Sequence, residues 1–348
     1  MYDAVVLGAG LYGSKVALEL AALRLKVVLL DPNPMFEGAT RVNQQRIHAG
    51  FHYARSIPTA ETAARNYQRF LIDHASSVEG NERHLYCIAA DSKVGPEEYE
   101  HVLDGIGAEY KKTYTPSYFA PDMIAQVYET QEKSFNIRKL RAMVNQQLKI
   151  AGVERVSYSG RIVDVDENRV VVQAGNRLFE AKYVFNCTYS ALDSVIPIRT
   201  KLRKEHVEVA LIQVPNSLAN DDITIMDGLY WSCMQYPAVP GYYALTHVQH
   251  GRHQVWNPPD PEPSWQATSK FSLMALDAAR YVPAMAQAIY CNSMYTTRCL
   301  LEETMDDDGR PCLIEYSEMS PRIVSILGSK FNSVYEIIDF VRQGEWAQ

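Results

Sequence analysis

The sequence predicts a two-domain α/β protein, in which a parallel sheet opens with an N-terminal βαβ unit and accepts a mostly antiparallel α+β domain as an insertion. Three observations predict it. A glycine-rich turn at residues 8–13 separates an apolar run from a helical stretch at the start of the chain. An amphipathic stretch ending at Gly152 is followed by a series of short β-rich runs. Between residues 205 and 248, strand-like runs alternate with Pro, Asp and Gly breaks, the pattern of an antiparallel sheet. The 348 residues, at about 150 per domain, suit two domains.

The elements follow in order. Residues 2–7, with Val5 and Val6, form a strand ended by Gly8; from Leu11 to Leu23 the apolar positions Val16, Ala17, Leu20 and Ala21 recur at helical spacing. Residues 26–30 make a second buried-strand run, so strand, turn, helix and strand complete a βαβ unit. The loop at 32–56 is longer than a structural connection needs, which suggests contact with a ligand. A helix is predicted over 59–75 with Thr59 as N-cap, a strand over 84–90, and a helix over 96–106 that Pro96 opens. Helix 136–151 precedes strands at 153–158, 161–165, 169–173, 178–182 and 183–187, with hairpin turns at 166–168 and 174–176. Residues 258–264 are a Pro-rich connector and 265–289 read as helical. A strand at 322–327 and a final helix to about 342 end the chain.

Composition excludes several classes. Hydrophobic residues at 47% and charged residues at 22% match globular domains, not disorder, collagen or coiled coil. Lys and Arg number 34 against 41 Asp and Glu, a net charge of −7 that does not suit a generic nucleic-acid or membrane-surface binder. No apolar run approaches the ~18 residues that span a bilayer. The first residues lack a signal peptide's basic region and cleavage site, and the six cysteines show no metal spacing. A cytoplasmic protein with reduced thiols is expected.

Gly8-Ala9-Gly10-Leu11-Tyr12-Gly13 is a GxGxxG turn between strand and helix. Gly8 permits the tight turn, Gly10 lets a pyrophosphate approach the backbone, and Gly13 lets helix and strand pack closely. The helix N-terminus favours the phosphate charge. Asp31 closes the second strand 18 residues after Gly13, where an acid binds ribose hydroxyls. A dinucleotide is therefore expected, and these residues alone leave NAD and FAD both open. The loop from Gly38 to Tyr53 adds small residues, a hydroxyl, amides and two arginines, then a His/Gly/aromatic patch. It can run beside an extended cofactor with His48 at its reactive end; the structural alternative is a solvated loop with satisfied histidines.

Asn43 through Tyr53, above all Ile47-His48-Ala49-Gly50, resembles the flavin-facing segment of L-2-hydroxyglutarate oxidases, members of the D-amino-acid oxidase superfamily. The resemblance continues in Gly160-Arg161-Ile162, in Tyr183-Val184-Phe185-Asn186-Cys187-Thr188, and in Ile326-Leu327-Gly328-Ser329-Lys330. Tyr189 stands where the family has a glycine. The resemblance implies FAD rather than NAD; no residue marks a covalent attachment, and a non-covalent cofactor is expected. It also implies a glutathione-reductase-like FAD-binding Rossmann domain from 1–56, 133–197 and 291–348, and an antiparallel-sheet α+β substrate domain from 57–132 and 198–290. The residues it places at the cofactor are Gly8, Gly10, Gly13, Asp31, Thr40, Arg41, Gln45, Ile47, His48, Ile162, Thr188, Gly328, Ser329 and Lys330.

The chemistry expected is hydride transfer from the C–N bond of an amino acid or secondary amine to flavin, with oxidation of a 2-hydroxy acid as the alternative. An alcohol needs a base near the operating pH, which histidine supplies. His48 is the first candidate and His247 the second, although a lone strand histidine is more often a satisfied core residue; His52 is similar. A substrate carboxylate calls for arginine, from Arg310 in the polar turn 306–311, Arg46 or Arg252. Tyr53, Tyr230 and Tyr243 are candidate pocket residues. The basic run Arg199, Lys201, Arg203 and Lys204 reads as a solvated face or as a rim for a substrate borne on nucleic acid. A flavin-binding protein without turnover is the remaining class. The electron acceptor and oligomeric state leave no mark in the sequence.

Overall fold

A computed structural model describes residues 1–81, 83–304 and 309–347. Two large sheets organise it. The first has eight strands, with β1 (Tyr2–Leu7) and β2 (Val27–Leu30) near its middle. Glu154–Val156, β2, β1, Arg177–Asn186 and Ser320–Leu327 lie side by side in that order and run parallel. Leu313–Ser317 pairs antiparallel at one edge, and the strands Gly160–Val165 and Val170–Ala174 extend from Arg177–Asn186 through two hairpins.

β1 is buried on both faces, as parallel strands are, so its sequence shows no alternation with polar residues. Ala4 and Val6 pack with Val16, Ala17 and Leu20 of α1 (Leu11–Ala22), with Leu140, Val144 and Leu148 of the helix Ile137–Ile150, and with the C-terminal helix Val334–Gln343. Val5 and Leu7 point the other way, against Val170, Val172 and Phe179 of the hairpin layer. Asn136 caps its helix through its side chain, which accepts from the Arg138 and Lys139 backbone N–H groups. The described residues include no helix long and apolar enough to cross a membrane.

The second sheet has nine strands, antiparallel except where Asp221–Met226 runs parallel to Arg83–Ala89. Alternation assigns its faces. Ile223, Ile225, Trp231, Cys233, Tyr243 and Leu245 meet Met274 and Ala278 of the helix Phe271–Tyr281. Thr224, Ser232 and Ala244 face the opposite way and bond to the loop that follows β2.

Several elements differ from expectation. The helix predicted over 59–75 is α2 (Ile57–Asp73), with Ser56 at the N-cap position and Thr59 in the first turn. The stretch 265–289 is helical only over Phe271–Tyr281, with a short 3₁₀ turn at Pro283–Gln287. Ile289–Leu301 is a 13-residue strand paired along Leu202–Gln213, so it lies in the second sheet and crosses the expected boundary at 291. Its mixed polar sequence carries no local period, and a long-range partner defines it.

Phe185 is fully buried between β1's helical layer and Trp346. Phe185→Ala is expected to lower the unfolding free energy by about 3–5 kcal/mol in urea denaturation. A loss below about 1 kcal/mol would contradict this packing.

Candidate functional site

Because β1, Arg177–Asn186 and Ser320–Leu327 run parallel, their C-terminal ends lie at one edge of the sheet. Ligands of open α/β sheets bind at that edge. Three turns meet there: 8–13, 187–189 and 328–330. A Cβ on Gly13 would stand 2.0 Å from the Gly8 carbonyl oxygen, so only glycine lets α1 pack this close to β1. Gly8 has φ +96°, and its missing Cβ would stand 2.6 Å from the Cys187 carbonyl oxygen. Beside Gly10 the nearest atom is Thr40 Oγ1, 3.1 Å from a Cβ position, and that hydroxyl accepts the Leu11 backbone N–H at 3.1 Å. Asp31 accepts from the Ala9 N–H at 2.6 Å and the Asn33 N–H at 2.8 Å. A bare glycine backbone, a helix N-terminus and a fixed carboxylate together fit a dinucleotide.

Thr188 Oγ1 donates to Asn186 Oδ1 at 2.6 Å, and Tyr189 adopts φ +55°, the left-handed region. A side chain in that conformation costs about 1–2 kcal/mol. Tyr12 ties the first turn to the last. Its hydroxyl donates to the Lys330 carbonyl at 2.6 Å and accepts from the Ser329 N–H at 3.3 Å, while its ring lies flush on Gly328. Ile162 is half-buried in the hairpin layer.

The loop after β2 is pinned at several points. Ile47 N–H donates to the Lys133 carbonyl, Ala49 N–H to Glu132 Oε1, and Asn332 Nδ2 to the His48 carbonyl. The His48 and His52 rings are 5.8 Å apart and stand 5.5 and 5.6 Å from Tyr53, over which Lys330 Nζ sits at 5.5 Å. Both Nδ1 atoms are buried without a partner among the described residues. Burial, then the positive charges of Lys330 and Arg46, push the His48 imidazole well below its usual range; burial, Arg46, Lys330 and Arg310 do so for His52. Both are therefore neutral at neutral pH.

Other sequence candidates fall elsewhere. His247 shares its strand face with Tyr243 and Leu245, turned toward the helix Phe271–Tyr281. Its Nε2 meets Asp277 at 3.0 Å and its Nδ1 accepts two backbone N–H groups, so it is a satisfied structural histidine. Strand alternation put it on the far face. Tyr230 bonds Asp91, and Tyr243 bonds the Ala219 carbonyl, both in that same layer. Arg252 lies beside Glu205 on an edge strand.

Arg46 is buried against Glu132, Tyr86 and Thr224 and is not available to a substrate carboxylate. Ile47 is a core residue, Gln45 turns its Oε1 to the Ile137 N–H, and Arg41 pairs with Glu37 at the surface. Of the basic run, Arg203 and Lys204 are paired with Glu205 and Asp193, which leaves Arg199 and Lys201 as its exposed members.

Arg310 does join the site. With Tyr189, Arg298 and the 328–330 turn it lines a small cleft, and its N–H donates to Thr59 Oγ1 at 3.1 Å. Asp306, Asp307 and Asp308 of the predicted polar turn lie outside the described residues. Glu132, His84, Tyr86 and Thr224 were not singled out by the sequence. A buried arginine requires an acid partner, but which acid is set by the fold.

Residues 3–317 match the family described as DAO, FAD dependent oxidoreductase. A stretch of 107 residues is 27% identical to the FAD-dependent monooxygenase FPY4 of Fusarium mangiferae, covering 30% of this chain and 29% of that protein. The match thus spans less than a third of the curated relative's length. Glycine oxidase from Geobacillus kaustophilus superposes with a TM-score of 0.75 at 16% identity, over 98% of this chain and 95% of that one. NikD, an amino acid oxidase of nikkomycin biosynthesis, gives 0.77 at 13% identity over 98% and 93%. Glycerol-3-phosphate dehydrogenase from Bacillus halodurans, complexed with FAD, gives 0.66 at 14% over 99% and 65%. At these identities the likeness is one of fold.

Gly13→Ala is expected to weaken FAD retention by at least about tenfold, through the blocked approach to Gly8, when flavin absorbance is followed through gel filtration. Gly38→Ala, with nothing within 4 Å of the new methyl, should retain FAD. Equal retention by both variants would contradict the cradle.

Proposed function

The chain belongs to the DAO family of FAD-dependent oxidoreductases, and from that membership we propose that it oxidises the C–N bond of a small carboxylate-bearing amine. The product imine then hydrolyses. The observation that carries this reading is the pair of buried, neutral imidazoles, His48 and His52, in the field of Lys330 and Arg46. An amine releases hydride only as the free base. The environment that disfavours a proton on these imidazoles also disfavours one on a bound amine, and so keeps its lone pair available.

The positive charges of Lys330 and Arg310, which line the cleft, also favour a carboxylate on the substrate. The glycine oxidase, NikD and iminodiacetate oxidase folds, all named for amino-acid or amine substrates, agree with this class.

Bound FAD supplies the hydride acceptor, and the protein supplies orientation and electrostatics. The Gly8–Gly13 turn and the start of α1 would take its diphosphate, Asp31 its ribose, and the 328–330 turn its pyrimidine. Tyr12 keeps the first and last of these in register through the Lys330 carbonyl and the Ser329 N–H. The pinned loop holds His48, His52 and Tyr53 together with both Nδ1 atoms buried.

One observation favours a second reading. An unpartnered, neutral His48 Nδ1 is also a base, which a 2-hydroxy acid requires and an amine does not.

His48→Asn separates the two when flavin reduction is followed anaerobically in a stopped-flow instrument. For amine oxidation the rate should fall by less than about tenfold; a loss of about 10²–10⁴-fold, with 2-hydroxy acids the only reductants, would replace the amine reading by the alternative. In the wild type, burial holds the His48 pKa below the usual 6.5, so protonation sets in only below that pH. The acid limb of a His48-dependent rate should therefore lie under pH 6.5, and a limb above it would show that His48 is not held neutral by burial.

A further inference from the structure

Glu132 stands just past the end of the strand Ile124–Thr130 in the second sheet, and its side chain is fully buried. Its Oε1 accepts the Ala49 N–H at 2.7 Å and its Oε2 accepts the Tyr86 hydroxyl at 2.5 Å. Arg46 Nε lies 3.6 Å and His84 Nδ1 3.5 Å from Oε2. Arg46 in turn donates to the Tyr86 hydroxyl at 3.2 Å and to Thr224 Oγ1 at 2.8 Å. A lone carboxylate in such a place would be costly, and the always-charged guanidinium beside it makes the burial tolerable.

The Ala49 N–H and the His48 carbonyl belong to one peptide unit. Its N–H is held by Glu132, and its carbonyl accepts from Asn332 Nδ2 at 2.7 Å. Asn332, fully buried, also donates to the Ala63 carbonyl at 2.9 Å, so the clamp is anchored in α2. One peptide plane is thus gripped from both sides by buried side chains, each from a different part of the fold. The torsion angles that aim the His48 imidazole start from that plane.

We propose that Glu132 is a positioning residue for the His48 site: through its hydrogen bond to the Ala49 N–H it fixes the plane from which His48 is presented. This rests on the reading of His48 as part of the reaction site. The groups that face His48 are Lys330 from the last turn, Arg46, His52 and Tyr53 from its own loop, and His84 from the strand Arg83–Ala89. Glu132 reaches it only through the backbone.

The test compares three variants of the FAD-loaded protein. Glu132→Ala removes the grip and should lower kcat about 10–100-fold with KM nearly unchanged, the penalty of a small misplacement, while exchange of the Ala49 amide proton accelerates. Glu132→Gln keeps an oxygen for the Ala49 N–H and should recover most of that loss. Glu132→Asp keeps the charge but withdraws the oxygen by one methylene, and should group with Glu132→Ala.

Should the alanine variant fail to fold, the Gln and Asp variants decide the matter between them. An aspartate variant that matches the wild type while the glutamine variant fails would overturn the proposal, because charge rather than grip would then matter. Unchanged Ala49 exchange in Glu132→Ala or Glu132→Asp would overturn it too. If no amine or hydroxy acid reduces the wild-type flavin, the functional reading fails by itself, and the exchange rates still decide the grip.

Discussion

The contact on which the rest of this structure depends is the approach of Gly13 to the carbonyl of Gly8, where a methyl group would stand at 2.0 Å. It sets α1 directly against the end of β1. The N-terminal turn of that helix is then held at the edge where Arg177–Asn186 and Ser320–Leu327 also end. Partial positive charge from the helix, Asp31 on the neighbouring strand and the last turn become neighbours as a consequence of packing. Tyr12 makes use of that closeness, since a residue inside the glycine turn reaches the backbone of Ser329 and Lys330.

The second sheet completes the site by presenting one face to the loop after β2. Thr224 and Ser232 bind Arg46 and Gln44, and Glu132 reaches Ala49 from beyond the next strand. The loop therefore has little freedom, although it has no secondary structure of its own. Its histidines stay neutral because the neighbouring cations and the burial act in the same direction. Stabilising a charge there would require an anion, and the Glu132 carboxylate that holds the loop is committed to Arg46 and to backbone.

What could be read in the sequence follows from range. The glycine turn, Asp31, the helix ending before Gly152 and the paired hairpin turns are fixed by residues a few positions apart, and they stand where the pattern put them. His48 and Tyr53 could be found together because they share one short loop. Their link to Lys330 came only from a family resemblance. By contrast, the strand Ile289–Leu301 has no period of its own and exists through its pairing with Leu202–Gln213. His247 proves to be the satisfied histidine that was the alternative to a site residue, because a strand residue's face depends on register, which composition does not reveal. Glu132 and His84, more than eighty and thirty positions from the residues they serve, left no local signal.

The proposed reaction is electron exchange between a flavin bound at this sheet edge and a small carboxylate-bearing amine. An anaerobic absorbance titration of the purified protein tests it most directly. Bands of bound oxidised flavin should bleach in proportion to added amine, with a carboxylate-free analogue far less effective. Protein that takes up no FAD, or bands that persist through a panel of amino acids and secondary amines, would contradict it.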